Sequence, residues 1–183
     1  MKSVLISIRP KWCEKIANGQ KTIEVRKTAP QEVPFKAYIY CTIGNGVKGD
    51  YLVPSGIQCG KVIGEFVCDK VDKIIPLRHT YYNYIGLPIA NVIEYGIWND
   101  DLAQMCLKKK EIDNYGKGKT LYGWNISDLK IYDRPKELSE FRTPCVYAPI
   151  ARCYPENCEM CPWNVVIRPP QSWMYVEDLG AKK

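Results

Sequence analysis

The chain has 183 residues, 46% of them apolar, and a formal net charge of +6. That length suits one domain, or one domain with an appendage, and the apolar share is ordinary for a packed core. The modest positive charge favours a polyanionic partner without requiring one. No stretch approaches the roughly twenty apolar residues that cross a bilayer, so the sequence predicts a soluble, cytoplasmic protein with no membrane association.

In chain order, residues 4–8 form a continuous apolar run of the length of a buried strand, too short for a secretory leader and ended by Arg9-Pro10. Pro10 suits a first helical position, because its missing N–H would have no partner there. Trp12 and Ile16, with Cys13 and Ala17 beside them, make one apolar stripe over residues 10–18. Gly19 falls where helices end in a left-handed residue. Thr22 to Arg26 then alternates as a strand: Ile23 and Val25 share one face, while Thr22, Glu24 and Arg26 share the other. Lys21 stands at the strand's mouth. The segment thus delivers a lysine, a carboxylate and a guanidinium to one patch, and cross-strand ion pairs on a solvated sheet edge are the plain alternative.

Residues 35–42 predict the next strand. Five glycines and Pro54 between Gly44 and Gly60 mark a long loop or distorted hairpin. Residues 61–75 read as one long, bent strand, with Gly64 as a bulge or close approach. Residues 78–95, rich in tyrosine around Gly86 and Pro88, read as an irregular insertion. The spacing predicts a second helix over 100–110, closed by Lys108-Lys109-Lys110. Strand segments follow at 121–126 and 128–132, a helical turn starts near Pro135, and the last strands lie at 164–167 and 172–176. Cys13, Cys41, Cys68 and Cys106 sit in apolar-patterned segments and read as small buried hydrophobes.

Gly19, Lys21, Glu24 and Arg26 spell Gly-x-Lys-x-x-Glu-x-Arg. With Cys68-Asp69-Lys70, Tyr122-Gly123-Trp124, residues 127–132 and Pro169-Pro170-Gln171-Ser172-Trp173, the chain resembles the ASCH domain of the PUA-like superfamily, in particular the longer ASCH proteins of bacterial and phage genomes. The resemblance implies an α+β fold: a PUA-like mixed β-barrel with two principal helices and long loops. Residues 1–143 would form the barrel core, and 144–183 a cysteine-containing loop and C-terminal strands completing the same domain. It also implies binding of RNA or a nucleotide-like ligand in a cleft lined by Lys21, Glu24 and Arg26. A small branch of the family instead hydrolyses N4-acetylcytidine with the signature lysine and a threonine. This chain keeps Lys21 but has Glu24 at the threonine position, so an amidohydrolase here would use Lys21 and Glu24, with Glu24 as base for water. A protein-interaction module is the third reading.

Trp124 and Asn125 join the predicted ligand-binding set. An indole can stack on an unpaired base; Asn125, where the longer family members carry histidine, can bond a base edge. Against this, thirteen tyrosines cannot all form a binding surface, Trp12 at helical spacing with Ile16 suits packing, and Lys108–Lys110 with Lys117 and Lys119 reads as a solvated helix end before it reads as a phosphate contact. His79 is the only histidine. Cys145, Cys153, Cys158 and Cys161 cluster in a loop-like stretch whose one C-x-x-C is half of a zinc knuckle. Structural zinc is weighed there against free thiols and a Cys158–Cys161 redox pair.

Overall fold

The computed structural model describes residues 1–44, 56–144 and 164–178. Its first strand, β1 (Lys2–Ile8), is buried from Ser3 onward, which is why its sequence is a continuous apolar run rather than an alternation. Val4, Ile6 and Ile8 pack on one side with Phe35, Ala37 and Ile39, and Leu5 packs on the other with Tyr38 and Tyr40. α1 (Pro10–Ala17) adds Cys13 and Ile16 to the first of these cores. β2 (Ile23–Arg26) follows, then β3 (Phe35–Cys41), which runs parallel to β1.

β4 (Val62–Cys68) pairs antiparallel with β3, and β5 (Val71–Ile74) leaves that sheet. The bent strand expected over 61–75 is therefore two strands in two sheets, divided at Asp69-Lys70. Gly64 is a close approach, as its position suggested: a Cβ there would lie 2.5 Å from the Lys130 carbonyl oxygen. The pairing of β4 with its far neighbour also slips on both sides of Gly64.

The stretch read as irregular is an ordered hairpin, β6 (Pro76–Tyr82) and β7 (Pro88–Tyr95). Gly86 and Pro88, which look like breakers, form its tip and the first residue of β7. The helix expected over 100–110 is two helices, α2 (Asn99–Met105) and α3 (Lys109–Gly116), giving three α-helices among the described residues in place of two. Cys106 adopts φ 53° and ends α2. The Glu111 carboxylate then accepts the Lys108 N–H at 2.9 Å and opens α3.

β8 (Leu121–Asn125) and β9 (Ser127–Lys136) close the body, a 3₁₀ turn follows at Leu138–Glu140, and β10 (Trp173–Val176) pairs with β1. Residues 164–167 contribute one bridge, Arg142 to Val165, in place of a strand. The five-stranded mixed sheet has the order β10-β1-β3-β4-β9 and the three-stranded sheet the order β2-β8-β5. The architecture is α+β. Closure of these sheets into a barrel is not seen among the described residues. No described helix is long and apolar enough to cross a membrane.

The three-stranded sheet is covered on both faces, and this positions the site. Ile23, Val25, Ile74 and Leu121 point into a core with Tyr95, Met105 and Ile112, supplied by the hairpin and the two helices after it. From the opposite face Trp124 enters the first core, edge-on to Phe35 at 5.0 Å between ring centroids. Glu24 lies directly opposite Trp124 in the ladder, and Arg26 opposite Tyr122. The charged face of β2 is thus turned toward the interior.

Candidate functional site

The helix–turn–strand unit forms as its sequence predicts. Gly19 takes φ 70° after α1. The Gln20 and Lys21 amides both donate to the Lys15 carbonyl, at 2.9 and 3.0 Å, fixing how Lys21 leaves the helix. Lys21 is 2% exposed, Glu24 6% and Arg26 8%. The expected cleft-facing patch is therefore a buried ion cluster, because both faces of β2 carry neighbours.

Glu24 is its hinge. One carboxylate oxygen lies 3.3 Å from the Lys21 Nζ, and the other 3.1 Å from an Arg26 terminal nitrogen. Lys21 also donates to the Met105 carbonyl at 2.6 Å. That carbonyl belongs to the last turn of α2, where a cation is favoured by the free carbonyls and the negative end of the helix dipole. The Trp12 ring lies 5.2 Å from the same ammonium, close enough for a cation–π contribution. Arg26 donates its other bond to the Ser7 carbonyl at 2.6 Å, tying β2 to the end of β1. Two cations thus share one carboxylate, and the cluster carries one net positive charge. The buried Arg26 Nε–H has no hydrogen-bond acceptor. An unsatisfied buried donor of a charged group costs free energy, and an acceptor oxygen placed against it would recover that cost.

Tyr115 was not singled out by the sequence. It comes from α3, which the sequence reading ended at Lys110. Its phenol is pushed above the ordinary tyrosine value, chiefly by burial; Arg26 and Arg9 pull it down and Glu24 raises it, so the ring lies within electrostatic reach of all three. Lys27 sits 4.9 Å from its ring centroid. The i, i+3 spacing of Ile112 and Tyr115 was the available signal, since it places Tyr115 beside a buried core position.

The other expected site residues are not gathered at the cluster. Trp124 is fully buried, between Phe35 and Trp173, and its indole N–H has no acceptor. Asn125 lies opposite Ile23, on the face of β8 away from Glu24. Its amide donates to the Asp72 carboxylate at 2.8 Å and the Lys70 carbonyl at 3.2 Å. Thr22 is exposed, its backbone amide bonded to the Gln104 carbonyl. Cys145, Cys153, Cys158 and Cys161 lie outside the described residues. Among those described, no group of three or more His, Cys, Asp or Glu side chains is placed to hold a metal. Cys13, Cys41 and Cys68 are buried free thiols, as expected, whereas Cys106 is half-buried.

No family model matches the sequence, and no curated protein does. Solved structures match the fold. The ASCH protein of Zymomonas mobilis superposes with a TM-score of 0.55 at 18% identity, over 97% of this chain and 89% of that one. A tyrosine-to-phenylalanine mutant of that protein superposes at 0.53 and 16% identity, covering 97% and 92%. A serine-to-alanine mutant gives the same score and identity, covering 97% and 89%. Over nearly its whole length, this chain has the ASCH fold.

Proposed function

We propose that the chain binds RNA or a nucleotide-like ligand at the Lys21–Glu24–Arg26 cluster, with Tyr115 as an adjoining stacking surface. The observation that carries this reading is the buried Arg26 guanidinium. It belongs to a cluster with a surplus of positive charge and keeps one N–H without an acceptor. A phosphate or base carbonyl would supply what that N–H lacks once the side chains covering β2 move aside to admit it, and the planar guanidinium suits such oxygens. Tyr115, with Arg9 and Lys27 close by, offers a ring and two further cations for a base and its backbone. The ASCH fold and the net charge of +6 agree with a polyanionic partner.

Hydrolysis of an acylated nucleoside by Lys21 and Glu24 has less support. Each Glu24 oxygen already faces a cation, so taking a proton from water would mean disturbing a buried ion pair. The neighbouring hydroxyl, Thr22, is exposed and placed beside Gln104 rather than Lys21.

The test is equilibrium titration of a labelled single-stranded RNA, the matching DNA and nucleoside monophosphates at low and moderate salt. Binding that weakens steeply with salt, as phosphate contacts do, and falls about tenfold or more in Arg26→Lys supports the proposal. Equal affinity of the folded variant and the wild type refutes it.

A further inference from the structure

The β6–β7 hairpin is a separate sheet of two strands, anchored at its base through Tyr95 to the core that holds Ile23 and Met105. Such a sheet is marginal in water unless something covers it. Its tip is nonetheless well built: the Asn83 side-chain oxygen accepts the Ile85 and Leu87 amides at 3.1 and 2.9 Å, and the Asn83 amide donates to the Leu87 carbonyl at 2.9 Å. Tyr81, Tyr82, Tyr84, Ile85, Leu87 and Ile89 are each more than half exposed, Tyr84 at 98%. An ordered backbone therefore holds an apolar surface in solvent, which is the signature of an interaction site.

We infer that this arm is the interface of a symmetric homodimer, each copy covering the arm of the other. Area and charge both point to a second copy. The three tyrosines offer roughly 150–250 Å² each and the three aliphatic side chains somewhat less, so the exposed parts of the six together reach at most something on the order of 800 Å² per chain. That is about what each partner contributes to a standard interface. The arm is also nearly uncharged. From Pro76 to Tyr95 its ionisable groups apart from tyrosine are Arg78, His79 and Glu94. Glu94 is already engaged by Lys109 at 2.7 Å and lies 3.4 Å from His79. A strongly charged partner would find little to pair with, whereas two identical arms meet without like-charge repulsion. Aliphatic side chains make up half of the six, and these cover protein surface well but do not stack on bases. The same patch meeting itself across a two-fold axis is also the commonest form of closed assembly.

Sedimentation equilibrium of the full chain from about 1 to 100 μM, the range over which a micromolar Kd is read, should show a monomer–dimer equilibrium. The double variant Tyr82→Lys/Ile89→Lys should raise the dissociation constant at least about 100-fold, with far-UV circular dichroism and melting temperature of the monomer retained. A second variant confined to the tip, Tyr84→Ser/Ile85→Asn, should weaken the dimer without touching either strand. Hydrogen exchange in the arm should slow as protein concentration rises. A wild-type monomer across the range overturns the inference, as does a dimer of unchanged affinity in both variants. A monomer whose arm variants lose RNA affinity would also overturn it, and would assign the arm to nucleic acid.

Discussion

Replacing Glu24 with glutamine removes the negative charge between Lys21 and Arg26 while keeping the side chain's shape. At 3.3 and 3.1 Å, each pair has an attraction of roughly 5 kcal/mol at an effective dielectric constant near 20. Much of this is offset by taking three charges out of water. The variant keeps the desolvation of both cations and loses their countercharge, which for a buried pair costs about 3–5 kcal/mol. A glutamine oxygen still accepts from one cation, so the lower end, about 3 kcal/mol, is expected. In a chain of this length that corresponds to a melting temperature lower by about 6–12 °C. Urea unfolding at neutral pH reads the loss, with Thr22→Val on the exposed neighbour as a control changing by less than about 0.5 kcal/mol. Adding Arg26→Met should recover part of the loss, because one surplus cation goes with it. A cost below about 1 kcal/mol for Glu24→Gln would mean that water screens the cluster, and the reasoning from burial would fail.

Ile23 lies in the core of Met105, Ile112 and Leu121, so Ile23→Asp should unfold the protein in circular dichroism at ambient temperature, since an unpaired carboxylate there has no partner. The Cys68 thiol is pushed up from 9.0 to about 12, chiefly by burial. Its folded form holds the proton longer than the unfolded chain, so its stabilising contribution is whole below the unfolded value of 9.0 and declines as pH rises toward about 12. The urea midpoint should therefore fall less between neutral and alkaline pH in Cys68→Ala than in wild type. Elemental analysis of protein prepared without chelator tests the zinc expectation for Cys145, Cys153, Cys158 and Cys161: about one ion per chain, released by Cys158→Ser. Metal-free protein with those thiols freely alkylated would remove it.

The unit from Pro10 to Arg26 was legible because local signals agree there: Pro10 opens the helix, Gly19 ends it, and a period of two follows. That period told which residues share a face but not whether the face meets water, so the burial of Glu24 and Arg26 was out of reach. It depends on Trp124 and the end of β1, both distant in sequence. The hairpin at 76–95 was missed for a related reason. Apolar side chains project from both of its faces, which erases the alternation that marks a half-buried strand. The break between α2 and α3 carries neither glycine nor proline; it rests on Cys106 in the left-handed region, an uncommon choice for a residue with a side chain. Gly64 was readable as a close approach and the segment 128–132 as a strand, although not that the two pair.

The Arg26 side-chain N–H resonance reports most directly on whether the buried cluster receives a ligand oxygen. In uniformly ¹⁵N-labelled protein the Arg26 Nε–H cross-peak is assigned by its loss in Arg26→Lys, and nucleoside monophosphate or a short RNA is then titrated in. A downfield shift of that proton, saturating with the binding isotherm and accompanied by a shift of the Tyr115 ring resonances, is the predicted result. An unmoved Nε–H at saturating ligand, with binding intact, would contradict the claim that this guanidinium is where the nucleotide is held.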